Sequence, residues 1–173
     1  MRKHFAIFFV LVMIVSLTAC NTSRHENPDG DPSPQTEQKE VILYFANDEY
    51  ARTGDEKLDK VIAEKRVIQY GDSSLAEAVV RELMKGTETE GLSTQIPATA
   101  KLLGVEVSDG TAFVNFAREG MNGGSLQETF TIRQIVKSLT QLENVDNVQF
   151  LVDGNKAETL MGHMTTSEPF ESE

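Results

Sequence analysis

The sequence predicts an α+β domain over residues 40–165, built as a two-layer sandwich in the order β-β-α-β-β-α-β. Two helices are expected on one face of a mixed sheet. Three observations predict this. Two segments behind a serine carry apolar residues at helical spacing. Five segments of strand length are apolar or alternating. An Asp-Gly pair joins two of those segments as a hairpin.

The first strand is Val41-Ile42-Leu43-Tyr44-Phe45, a continuous apolar run as in a buried strand. Asn47 to Lys60 is polar and contains Gly54, so it reads as a loop with one short helical turn. Lys65 to Tyr70 is the second strand. Ser74 with Glu77 three residues on has the form of a capping box, in which each side chain satisfies a free N–H of the other's end of the turn. The helix behind it carries Leu75, Val79 and Leu83 with Ala76, Val80 and Met84, and Gly86 suits its C-terminal stop.

Glu88 to Ala100 is a loop held extended by Ile96-Pro97. Leu102–Ser108 and Thr111–Ala117 flank Asp109-Gly110, the signal of a two-residue hairpin turn. Such a turn pairs Ser108 with Thr111, Val107 with Ala112, Val105 with Val114 and Leu103 with Phe116. These apolar residues then share a core face, and Gly104, Glu106, Phe113 and Asn115 share the other. After the Gly-rich loop 118–124, Ser125 and Glu128 repeat the capping-box spacing. The second helix runs through Leu126, Phe130, Ile132, Ile135, Val136, Leu139 and Leu142, with Asn144 as its expected C-cap. Val148 to Val152 is the last strand, stopped by Asp153-Gly154. Residues 166–173 are expected to be a flexible tail.

The N-terminus is an address. A basic start, Met1-Arg2-Lys3-His4, precedes the apolar run Phe5 to Val15, which is too short to span a bilayer comfortably and has the form of a secretory signal. The single cysteine of the chain closes Leu17-Thr18-Ala19-Cys20, which resembles the bacterial lipobox. That resemblance implies a signal peptide over residues 1–19 and a diacylglyceryl group on Cys20. Acyl chains at about 0.8 kcal/mol per buried methylene hold a protein stably once two or three are present. Residues 20–39 then form the lipidated cysteine and a disordered linker. Asn21 to Lys39 contains no aliphatic or aromatic residue and three prolines, so it has no surface to bury.

Composition narrows the chemistry. The 173 residues carry 27 acidic and 16 basic side chains, a formal charge of −11. Such a chain is a poor nucleic-acid binder, because phosphate affinity rests on Lys and Arg. One cysteine excludes a disulfide framework within the chain and any thiolate zinc cluster. His4 lies in the signal and His25 in the linker, leaving His163 alone in the domain as a turn residue, so neither a metal nor a cofactor is expected. Gly123-Gly124-Ser125-Leu126-Gln127 departs from the nucleophile elbow at its fifth position. The loop before Ser125 reads as flexible, with anion binding through helix N–H groups as the alternative. Glu88/Glu90 and Asp146/Asp153 read as solvated charge. Tyr70, Phe113, Asn115 and Met121 are the candidate interaction surface, with cover by a loop as the alternative for Phe113.

From Val41 to His163 the chain resembles the GerMN domain of the sporulation and spore germination family. The resemblance is carried by Leu43-Tyr44-Phe45, Arg66-Val67 and Leu83-Met84-Lys85-Gly86, then by Gly91 to Pro97 and the hairpin Val107 to Phe116. Gly124-Ser125, Gln134 to Gln141, Val148 to Gly154 and Gly162-His163 follow in order. The chain departs from the family pattern at Asn115, where Asp is usual, and at Gly86-Thr87, where Gly-Pro is usual. The resemblance implies a lipid-anchored protein on the extracytoplasmic face of a bacterial membrane, with a domain similar to ring-building motifs and no established enzymatic activity. A non-enzymatic module that binds another envelope protein or itself is the leading expectation. A receptor for a peptidoglycan fragment, sugar or germinant is the rival, and an envelope hydrolase the third reading.

Overall fold

The computed structural model describes residues 36–171, so the lipobox with Cys20 and most of the linker lie outside the described residues. The described residues all fall in one compact unit.

The chain enters through β1 (Glu37–Asn47), which pairs antiparallel with β2 (Val61–Tyr70) over a ladder from Glu37↔Tyr70 to Ala46↔Val61. Both strands start earlier than their apolar runs suggest. Glu37–Lys39, expected in the linker, belong to β1 because main-chain hydrogen bonds extend the ladder without apolar side chains. Between the strands lies the short helix α1 (Asp48–Thr53). Asn47 caps it by accepting from Glu49 N and Tyr50 N, and Gly54 at φ 67° ends it.

Helix α2 (Leu75–Lys85) forms where expected, with Ser74 Oγ accepting from Glu77 N at 3.1 Å. The reciprocal half of the box is not made, because the Glu77 carboxylate pairs with Arg81 one turn on. Ala76, Val79, Val80 and Leu83 are buried. Strand β3 (Leu92–Ser93) follows and pairs with the end of β1.

Strands β4 (Leu102–Ser108) and β5 (Thr111–Phe116) form the expected hairpin, with Asp109 and Gly110 both at positive φ. Its register holds from Ser108↔Thr111 to Gly104↔Asn115 and then shifts. A bulge between Leu102 and Gly104 puts Leu102, not Leu103, opposite Phe116. Leu103 is thereby turned out of the core and is 54% exposed.

Helix α3 (Ser125–Leu139) starts one residue after Gly124, which has no side chain to cap it. The second capping box is therefore a false signal, since Glu128 is fully buried and serves elsewhere. The helix ends at Thr140 rather than at Asn144, and tight turns at Leu142 and Val145 carry the chain on. Strand β6 (Asn147–Val152) then pairs parallel with β5. Strands β7 (Asn155–Lys156) and β8 (Phe170–Glu171) take different stretches of the other edge of β6.

The C-terminal stretch expected to be a flexible tail is thus built into the fold as far as Glu171. Thr166 is fully buried, with its Oγ1 donating to Ala157 O, and Phe170 meets Phe150 edge-to-face at 5.8 Å.

The expected α+β architecture is present, as two sheets of order β2-β1-β3 and β4-β5-β6-β7, with β8 joining β6, rather than as one. The reason is visible at the second edge of β1. Beyond β3, α3 occupies that edge: Tyr44 N donates to Ser138 Oγ at 2.9 Å, and Gln134 Nε2 donates to Tyr44 O at 3.2 Å. Side chains of a helix saturate backbone groups that another strand would otherwise take. Helices α2 and α3 contact β1, while α2 also packs on β4 and α3 on β6. Phe45, Phe116, Phe150, Leu43, Leu83 and Ile135 are fully buried in the core this creates. A smaller cluster of Ala46, Val61 and Phe130 lies under Tyr50, whose ring stands edge-on to Phe130 at 6.0 Å.

Candidate interaction surface

The four domain residues singled out from the sequence do not form one patch. Phe113 and Asn115 share the outward face of β5 and are half-buried. Asn115 Oδ1 accepts from Gly154 N at 2.9 Å, so this side chain fixes the turn after β6. Tyr70 ends β2, in the other sheet. Its ring packs on the core and its hydroxyl donates to Glu37 Oε2 at 2.6 Å. That hydrogen bond, with smaller contributions from burial and the Glu37 charge, raises the phenol above its ordinary value. Met121 is a core residue, 5% exposed, and is withdrawn from any surface. A methionine in a Gly-rich loop reads as exposed because nothing local shows that the loop folds back over the core.

Among the described residues the exposed large apolar side chains are others: Val67 on β2, Leu103 at the bulge, Leu126 in the first turn of α3, and Met164. Leu126 lies on the apolar stripe by spacing, but the first turn extends past the core. Leu103 is turned out by the bulge, which leaves no local sign in the sequence, and Val67 lies on the solvent-facing side of β2.

Several polar groups suited to chemistry are committed to backbone. Glu128 is fully buried, and its carboxylate accepts four main-chain N–H groups. Oε1 takes Leu160 N and Met161 N at 2.9 and 2.8 Å, and Oε2 takes His163 N and Met164 N at 2.8 and 3.1 Å. The His163 ring lies 3.1 Å from Gly123 O through Nε2, as expected of a turn residue. Buried Gln134 receives Gln95 N besides binding Tyr44 O, and buried Gln149 donates to Phe150 O and Thr166 O. Asp153 Oδ1 accepts from Arg118 N. Among the described residues no group of three or more His, Cys, Asp or Glu is placed to hold a metal.

On the inward face of β2, Glu64 and Arg66 pair with each other, and Arg66 also reaches Glu82 and Gly86 O. Burial pushes the Glu64 carboxyl up. Hydrogen bonds from Thr87, Arg66 and Thr89, with the Arg66 charge, outweigh it and hold the group below the usual carboxylate value. A shallow apolar groove lies between α3 and β8, lined by Ile132, Val136, Met164 and Phe170. Among the described residues no helix is long and apolar enough to cross a membrane.

Residues 42–158 match the family model described as "Sporulation and spore germination", the Germane domain. No curated protein matches the chain. Among solved structures, one titled "Putative Lipoprotein from Clostridium perfringens" is 25% identical, with 78% of this chain covering 87% of that one at a TM-score of 0.53. The first GerMN domain of the sporulation protein GerM from Bacillus subtilis is 19% identical, over 78% of this chain and 97% of that one, at a TM-score of 0.62. The tandem GerMN domains of the same protein are 21% identical at a TM-score of 0.54, and this chain spans 48% of their length. With two-thirds of its length matched and the fold of a single GerMN domain in place, the chain belongs to the sporulation and spore germination (GerMN) family.

Proposed function

We propose that this protein is a non-enzymatic module, lipid-anchored through Cys20 on the extracytoplasmic face of a bacterial membrane, whose domain binds another envelope protein in sporulation or germination. The observation that carries the reading is the family match over residues 42–158, on a chain whose start has the form of a lipoprotein signal. The solved relative with a lipoprotein title supports the anchor. The engagement of Glu128, Gln134 and Gln149 with backbone supports a scaffold, since these buried polar groups hold segments together.

The test is crosslinking of the full chain in its own membranes, from growing and sporulating cells, with fractionation of a Cys20→Ser variant alongside. The reading expects wild-type protein in the membrane fraction, release of the variant, and one specific envelope protein captured. Capture of none in either state would sink the module and favour the small-ligand receptor. Membrane retention of the Cys20→Ser variant would sink the lipid anchor.

A further inference from the structure

Among the described residues, strand β2 is an edge strand, ten residues long and paired on one side only. Its hydrogen-bonding phase follows from β1. Tyr44 N and O point away from β2, to Ser138 and Gln134 on α3, so Tyr44↔Ala63 is a pair without mutual hydrogen bonds. The backbone groups of Ala63 therefore also point away from β1. Counting by twos, those of Val61, Lys65, Val67 and Gln69 do the same. An open row of donors and acceptors of this length is a template for another strand.

The side chains along this edge are self-complementary about Lys65. Antiparallel pairing with a second β2 in that register sets Ala63 opposite Val67 of the second copy, and Ile62 opposite its Ile68. It also sets Glu64 opposite its Arg66. Outward-pointing residues meet outward-pointing residues, so the backbone phase is satisfied by the same register that matches the charges. Glu64 and Arg66, already paired along the strand, would form a square of alternating sign with their copies. Lys65 meets its own copy at the two-fold axis, but each Lys65 carries Glu40 at 3.0 Å, which offsets the repulsion. Val67, at 61% the most exposed of the large apolar side chains among the described residues, finds an apolar neighbour across the new pair.

We infer that the free edge of β2 is an interface between two copies of this chain, joined antiparallel about Lys65 into one continuous sheet. This inference stands apart from the heterologous partner proposed above. A single strand pair buries less surface than a standard interface of about 1,600 Å². The dimer is accordingly weak in dilute solution and depends on copies held close together.

The experiment is site-specific disulfide trapping of the full chain in its host membranes under mild oxidation. Lys65→Cys places two thiols on Cα atoms about 5.5 Å apart, within disulfide reach. Gln69→Cys places them roughly 26 Å apart and is the control. Dimer is expected at least tenfold more from Lys65→Cys than from Gln69→Cys. Chains carrying Ala63→Cys and chains carrying Val67→Cys should crosslink when co-expressed and not when expressed alone. Val67→Pro removes an N–H that β1 does not use, so it should abolish the Lys65→Cys dimer while circular dichroism stays that of the folded protein. No dimer, equal trapping at residues 65 and 69, a disulfide to a different protein, or trapping that survives Val67→Pro in folded protein would each overturn the inference.

Discussion

Replacing Glu128 by Gln keeps the volume of a fully buried side chain and removes its charge. The wild-type carboxylate accepts four main-chain hydrogen bonds, two on each oxygen, from Leu160, Met161, His163 and Met164. In the amide, one oxygen becomes an NH2 that faces two N–H donors. Two bonds are lost, and two buried donors are left opposed. Hydrogen bonds to a charged group contribute about 1.5–3 kcal/mol each, so the variant should lose about 3–6 kcal/mol. Against a domain stability of about 5–15 kcal/mol that is a large fraction. The loss is confined to the C-terminal segment if that segment detaches more cheaply than the domain unfolds. Urea unfolding followed by circular dichroism reads the total. Amide exchange of Leu160, Met161, His163 and Met164 reads the local part, and these amides should exchange about a hundredfold faster or more. A Glu128→Gln protein within about 1 kcal/mol of wild type, with the four amides still protected, would refute the reasoning.

Gly120 and Gly54 both have positive φ, but a Cβ on Gly120 would lie 1.9 Å from Thr99 O, whereas one on Gly54 meets nothing within 4 Å. Urea unfolding should show Gly54→Ala costing about 1–2 kcal/mol for the left-handed backbone alone. Gly120→Ala should cost clearly more, and equal losses would refute the close approach. Glu64 should titrate below the ordinary value of 4.5 in the folded protein, by NMR of its carboxyl carbon, and should rise in Thr87→Ala and in Arg66→Met. Because its folded value is lowered, its contribution is fully present above about pH 4.5 and is lost as pH falls through the lowered value, so the penalty of Arg66→Met should shrink in acid. Tyr70 should ionise above 10.0, by ultraviolet titration, and should move back towards it in Glu37→Gln; no difference between the two proteins would refute the Tyr70–Glu37 hydrogen bond.

Local patterns decided a good deal of this molecule. The stripe behind Ser74 became α2, the Asp109-Gly110 pair became the hairpin turn, and the run Val148 to Val152 became β6. Each of those signals is complete within a few residues: a cap, a turn that needs positive φ, an apolar run. The family resemblance is likewise carried by short segments in order, and the family match over residues 42–158 agrees with it.

What only the tertiary structure decided are the choices between partners distant in the chain. Glu128 has capping-box spacing from Ser125, yet it binds a loop more than thirty residues on, because a buried carboxylate gains more from four backbone N–H groups than from one. Leu103 is apolar and in phase, yet a one-residue bulge turns it to solvent. Met121 lies in a glycine-rich loop, yet that loop closes over the core. Residues 37–39 and 166–171 look like a linker and a tail, yet strand pairing, one buried threonine and the Phe170 ring draw them into the fold. In each case the sequence determined what a residue could do, and long-range packing selected which neighbour it did it with. The energy of burial depends on surfaces that meet only when the chain has closed.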